Sequence, residues 1–192
     1  MQQKQKGFTL IELLVVVSII AILSVFVILT LNPAQMLKQA RDSQRISDMT
    51  TLKSAMALYL ADVASPSIGT TGLCYASAVL APSTSGCGGR MTAATVTTTT
   101  AANAASTTGN GWIPVNFAAI SAGSPLGSEP IDPVNNATYF YSYATNGTPS
   151  FQFEIDAHME STKYAQGGTS DVESTDGGSS STVYEVGTNL GL

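Results

Sequence analysis

The sequence predicts an α+β fold in which a long N-terminal helix packs on a small antiparallel sheet. Three observations carry this. The chain is apolar from Phe8 to Leu31, apolar residues recur at three- and four-residue spacings through residues 49–63, and two later segments, TYFYSYA and SFQFEIDA, alternate with a period of two. The 192 residues suffice for one domain plus a long accessory helix. Only 11% of residues are charged and the formal net charge is −5, with no basic stripe. That balance argues against a nucleic-acid binder, whose footprint is a clustered positive face.

The first element is the apolar run. MQQKQK carries Lys4 and Lys6 and no acid, and the 24 residues Phe8–Leu31 follow almost at once. A helix of that length reaches about 36 Å, enough to cross a hydrocarbon core of about 30 Å. A cleaved secretory signal has a shorter apolar core, about 7–15 residues. The basic flank stays cytoplasmic by the positive-inside tendency, and the rest of the chain lies outside the inner membrane. Hydropathy alone therefore gives a single-span anchor carrying a passenger. Glu12, the one full charge in the run, is a residue that an anchor does not need. A charge at the centre of a membrane helix costs roughly 2.5–3.5 kcal/mol, and less near its end. Either Glu12 reaches the interface, or it has a partner in an assembly.

Asn32-Pro33 interrupts the pattern, either ending the membrane helix or kinking one helix of about 50 residues. Beyond it, Met49, Leu52, Met56, Tyr59, Leu60 and Val63 form the apolar stripe of an amphipathic helix. Lys38, Arg41, Asp42, Arg45, Asp48 and Lys53 fall mostly elsewhere, as a solvated face or as contacts between neighbouring subunits. Ala64-Ser65-Pro66 ends the helix.

Residues 65–110 read as loop. Cys74 and Cys87 are an even pair in the exterior part and a disulfide candidate that would add roughly 3 kcal/mol in the chain-entropy model. Met91 to Gly111 is a Thr- and Ala-rich surface loop. Trp112, Ile113, Val115, Phe117 and Ile120 are core anchors, and SPLGSEPIDPVNN is turn material. Residues 138–144 and 150–157 form a hairpin around Asn146-Gly147, and STVYEVG adds a third strand. Asp171, Glu173 and Asp176 lie among Gly and Ser. They are weak calcium candidates, because closely spaced acids suit that ion but their spacing matches no specific calcium loop. His158 is the single histidine and has no nucleophile beside it in a motif. No nucleotide-binding motif occurs. An enzyme is not expected, and no cofactor beyond that calcium candidate.

Gly7-Phe8-Thr9-Leu10-Ile11-Glu12, after a short basic leader and before the apolar run, resembles the class III signal of type IV prepilins and type II secretion pseudopilins. The resemblance covers about 31 residues closely. The order proline turn, DPVNN, aromatic hairpin and HMEST is more loosely similar to pseudopilin heads. The resemblance implies a leader (1–7), a transmembrane and filament-core helix (8–31), an amphipathic helix (32–64) and a head (65–192), together a pilin-like lollipop. It implies that a prepilin peptidase cuts between Gly7 and Phe8 and methylates the new amine of Phe8. Glu12 then pairs with that amine on a neighbouring subunit. The partners implied are further copies of the chain in a filament, the peptidase, and an inner-membrane platform with its ATPase. The precursor would sit in the inner membrane with its head outside, and later in a pilus or pseudopilus. The alternative is a minor or competence pilin whose head binds DNA or a surface, and the acidic head weighs against DNA. A C-terminal disulfide loop, frequent in such pilins, does not correspond to Cys74 and Cys87, which precede the hairpin.

Overall fold

The computed structural model describes residues 7–80, 86–91, 95–98, 103–147 and 149–192. Lys4 and Lys6 and parts of the Thr-rich stretch lie outside these residues. The chain divides into two compact units, one ending at Leu37 and one running Lys38–Leu192.

Helix α1 is Leu10–Leu31. It is apolar on every side, and all its side chains from Leu10 to Val27 are exposed. A helix that is hydrophobic all round is stable only in a membrane or inside a larger packed body. Its two serines satisfy themselves: Ser18 and Ser24 donate to the Leu14 and Ile20 carbonyls at 2.8 and 2.7 Å, so neither hydroxyl needs water. Asn32 takes a left-handed conformation (φ 39°, ψ 74°) and ends α1. Helix α2, Pro33–Asp62, starts at the next residue. The Asn32 carbonyl accepts from Gln35 N at 2.9 Å, and Pro33 occupies the first helical position, where a missing N–H leaves no gap. Asn32-Pro33 is thus a one-residue break between two helices, rather than a kink within one.

The buried stripe of α2 is Asp42, Arg45, Met49, Leu52, Ala55, Met56 and Tyr59. Its apolar part joins Trp112, Ile113, Val115, Phe117 and Ile120 and the sheet in one cluster. The 3₁₀ turn Phe117–Ala119 brings Phe117 edge-on to Tyr59, with ring centroids 6.1 Å apart.

Five strands form the sheet: β1 Leu73–Ala76, β2 Thr95–Thr98, β3 Tyr141–Thr145, β4 Phe153–Ala157 and β5 Tyr184–Gly187, in the order β2-β1-β3-β4-β5. Four strands are antiparallel neighbours, and β2 pairs parallel with β1 at the edge. The expected hairpin and third strand are β3, β4 and β5. Two readings need correction. Residues 65–110 are not all loop, because β1 and β2 lie there. The hairpin also closes with Thr145 opposite Phe153, so its connection spans residues 146–152 and is wider than a two-residue Asn-Gly turn. Asn146 and Gln152 hold that wider loop, Asn146 Nδ2 donating to Gln152 Oε1 at 2.7 Å.

Side chains alternate across the sheet. Tyr75, Tyr141, Tyr143, Phe153, Ile155, Ala157 and Val186 belong to the cluster that includes α2. Cys74, Ala76 and Ala144 belong to a second, smaller cluster with Leu80, Cys87, Met91 and Phe140. Cys74 and Cys87 are joined in a disulfide with Cα atoms 5.9 Å apart, which ties β1 to the turn at Gly86–Gly89.

Candidate functional site

Phe8 is 86% exposed, one residue before an extended Thr9 that caps α1. Thr9 and Glu12 form a reciprocal capping box. Thr9 Oγ1 accepts from Glu12 N at 3.3 Å, while Glu12 Oε2 accepts from Thr9 N at 2.8 Å and from Thr9 Oγ1 at 2.7 Å. The box satisfies two N–H groups that no helix carbonyl can reach. The charge of Glu12 also lies in the first turn, beside the positive end of the helix dipole. Within one chain, therefore, Glu12 already has a local partner. The sequence held the signal, since Thr9-Leu10-Ile11-Glu12 has the Ser/Thr-x-x-Glu form, but reading Glu12 as an isolated acid passed it over. Gly7, Phe8, Thr9 and Glu12 fall together at the start of α1, with the helix polar only at this end and at its scattered hydroxyls.

Arg41, Asp42 and Arg45 of α2 depart from both sequence expectations, while Lys53 is exposed as on a solvated face. Asp42 and Arg45 are fully buried, in line with the apolar stripe. Arg45 donates to Asp132 through Nε and Nη2 at 2.7 and 2.9 Å, and through Nη1 to Asp42 at 2.8 Å. Its Nη1 also lies 2.7 Å from Glu160. Arg41 forks onto Glu160 at 2.8 and 2.6 Å; these hydrogen bonds hold the Glu160 carboxyl below its ordinary range. Asp42 accepts from the backbone N–H groups of Glu160 and Ser161. Asp132 also caps its own turn, accepting from Val134 N and Asn135 N. DPVNN and HMEST thus supply the two carboxylates that meet the α2 arginines. These pairs form within the head; Asp42, Arg45 and Asp132 are shut off from solvent, while Arg41 stays partly exposed.

The three loop acids do not converge on a common point. Asp171 accepts from Gly167 N and from Ser174 N and Oγ. Glu173 is buried and accepts from Met159 N and Gln166 N, with His158 Nδ1 3.7 Å away. Asp176 accepts from Gly178 N and Glu185 N. Each closes its own piece of backbone, as turn acids do. The acids that do meet are on the strands. Glu154 and Asp156 of β4 and Glu185 of β5 are buried, with carboxylate oxygens within 4.8 Å of one another. They lie on the sheet face opposite α2, and Asp156 stands directly across from Glu185. Burial foremost, then the neighbouring carboxyls, pushes Asp156 well above the usual carboxylate range; burial likewise raises Glu154. Sequence reading missed this group because the alternation of SFQFEIDA and STVYEVG was read only for strands, with no role assigned to Glu154, Asp156 or Glu185.

Residues 2–28 match the family model described as the prokaryotic N-terminal methylation motif. No curated protein and no solved structure matches the chain. The match takes in the Gly7-Phe8 junction, the Thr9–Glu12 box and most of α1, and it leaves the head outside. Among the described residues α1 is also the one helix long and apolar enough to cross a membrane. The head adds an α+β, pilin-like layout: a long second helix and a small, mostly antiparallel sheet. The chain carries the prokaryotic N-terminal methylation motif, the signature of the prepilin-type signal of type IV pilins and pseudopilins.

Proposed function

We propose that this chain is a structural subunit of a type IV pilus or a type II secretion pseudopilus, and not an enzyme. One observation carries the reading: a methylation motif at residues 2–28 sits on a helix whose apolar side chains are exposed on all sides. That surface is compatible with a membrane before assembly and with packed copies of itself afterwards. A prepilin peptidase cuts between Gly7 and Phe8 and methylates the Phe8 amine. The leader, with Lys4 and Lys6, is lost, and α1 is kept. The inner-membrane platform and its ATPase then drive insertion into the filament, since the chain has no nucleotide motif.

Glu12 gives this step its register. The carboxylate accepts Thr9 through Oε2, so in the filament Oε1 is the oxygen offered to a neighbour's Phe8 amine. Among packed apolar helices such a pair would be poorly hydrated, and loss of either partner would leave an uncompensated charge.

Mass spectrometry of the mature N-terminus tests the reading. A chain beginning at N-methylated Phe8 is the expected result. A chain beginning at Met1, or cut beyond α1, would overturn it.

A further inference from the structure

The face of the sheet turned away from α2 holds an arrangement that hydrogen bonding within the chain does not complete. Glu154, Asp156 and Glu185 bring one carboxylate oxygen each to within 4.8 Å of the others, and all three residues are at most 2% exposed. Both oxygens of Asp156 are buried without a hydrogen-bond partner, and so is Ser142 Oγ. Ser142 lies directly across β3–β4 from Asp156, as Glu185 does across β4–β5. The unpartnered oxygens therefore share one face and one row of the sheet. A buried polar atom without a partner is costly, and native structures rarely keep several together without a reason.

The cation already nearby does not fill this role. Arg90 lies close enough to lower the carboxyl of Asp156 through its charge, but Nη1 and Nη2 donate to the carbonyls of Phe140 and Thr138 at 2.6 and 2.7 Å. Its guanidinium carbon sits over the Phe140 ring, 3.6 Å from the centroid. Once ionised, three carboxylates against one guanidinium leave the charge that one divalent ion would balance.

We propose that Glu154, Asp156 and Glu185, with the Ser142 hydroxyl, form a calcium site on the strand face opposite α2. The donors are all hard oxygens, the set that calcium prefers. Oxygens within 4.8 Å of one another can all reach one calcium, whose geometry is flexible and whose bonds are about 2.3–2.6 Å, whereas magnesium demands a near-ideal octahedron at about 2.0–2.1 Å and usually keeps several waters. The remaining contacts of the acids orient them as outer partners of a metal ligand do. Glu154 Oε2 accepts from Leu192 N at 2.6 Å, and Glu185 accepts from Ser180 N at 3.0 Å and Ser179 Oγ at 3.4 Å. Gly178 sits so near the Glu185 carboxyl that a Cβ there would overlap it, which closes the strap of residues 176–180 over this side. An ion here would clamp β4 to β5 and fix that strap. The site does not use Asp171 or Glu173, Asp176 borders it by holding the Glu185 N–H, and the site stands or falls separately from the pilin reading.

The test uses the full chain in detergent, stripped with EDTA and titrated with calcium chloride or magnesium chloride alone. Isothermal titration calorimetry should give one calcium per chain, and thermal melting should move upward with calcium and not with equal magnesium. Asp156→Asn replaces a carboxyl that is costly to bury with a neutral amide, so in EDTA it should melt above the wild type, and its calcium shift should be lost. Ser142→Ala should fold and bind calcium several-fold more weakly. If Asp156→Asn does not fold, by far-UV circular dichroism, Glu154→Gln carries the same reading. No calcium heat with an unchanged melt, an equal response to magnesium, or an unaltered calcium shift in the Asp156 variant would each overturn the proposal.

Discussion

Two acids show how one residue type takes opposite roles. Glu12 is exposed and shares its charge with the Thr9 N–H and hydroxyl. Its proposed assembly role and its observed capping role separate by substitution. Glu12→Gln keeps an oxygen for the box, because Gln serves at that position, whereas Glu12→Ala removes both functions. Helix content of purified monomers should therefore be unchanged in the Gln variant and frayed at the first turn in the Ala variant. Filament yield should fall steeply in both if the charge is what a neighbour needs. Normal filaments from Glu12→Gln would reduce the role of this residue to its cap. Glu129 is the contrary case. It is 1% exposed, Oε2 accepts from Ile113 N at 3.0 Å, and Oε1 has no partner. Burial pushes its carboxyl up to about 8. The folded state thus holds a proton that the unfolded state releases near pH 4.5, and this group's contribution falls as pH rises from there to about 8. The slope is at most about 1.4 kcal/mol per pH unit. Glu129→Gln mimics the protonated form, so its stability relative to wild type should improve between pH 5 and 8 in urea titrations. A difference that does not change with pH would refute that assignment.

At the scale of elements, α2 is held to the head by two kinds of contact along one stripe. Toward its C-terminal half, Met49, Leu52, Met56 and Tyr59 are part of the main core. Toward its N-terminal half, Arg45 sits among Asp42, Asp132 and Glu160. Arg45→Ala would leave buried Asp42 and Asp132 without their cation and Glu160 with Arg41 alone, and removing one partner of a buried network costs about 3–5 kcal/mol. Chemical denaturation of the full chain in detergent should show a loss of that size. Arg45→Lys should fall between, because a point charge cannot reproduce the fork onto Asp132. These same elements mark how far the sequence could be read. The hairpin and β5 follow from alternation, and Trp112 to Ile120 follow from an apolar cluster between polar turns. The stripe of α2 was only half visible: Asp42 and Arg45 occupy its 3–4 spacing, but a charge on a helix is assigned to solvent unless its partner is known. Their partners lie 87 residues away at Asp132 and 118 at Glu160 N. Strands β1 and β2 failed for a similar reason. LCYA is four residues long and TVTT lies in a Thr-rich run, so pairing, not local pattern, defines them. Of the N-terminal site, the junction and Glu12 were evident from the motif, while the box required noticing Thr9 as a cap.

The whole molecule combines two units with different solvents. The unit ending at Leu37 exposes apolar side chains along α1, and the unit Lys38–Leu192 contains every member of the main core, from Met49 to Val186. It also contains both partners of each head ion pair, from Arg41 to Glu173, and the Cys74–Cys87 disulfide. Among the described residues these contacts all lie within residues 38–192, so a fragment of those residues should fold by itself. The fragment gives up Asn32 and Pro33 at the start of α2, a loss confined to one exposed turn and worth about 1 kcal/mol on the scale of a helix cap. The expected outcome is a monomer that is soluble without detergent and unfolds in a single cooperative transition. Reduction of its disulfide should lower the melting temperature, by an amount corresponding to roughly 3 kcal/mol for a loop of this length. The full chain should need detergent or a membrane, and the fragment should be absent from filaments. Size-exclusion chromatography, thermal melting and a sedimentation assay read these outcomes. A fragment that aggregates or melts without cooperativity would show that α1 contributes to the fold of the head, and that the boundary at Lys38 is not one of stability.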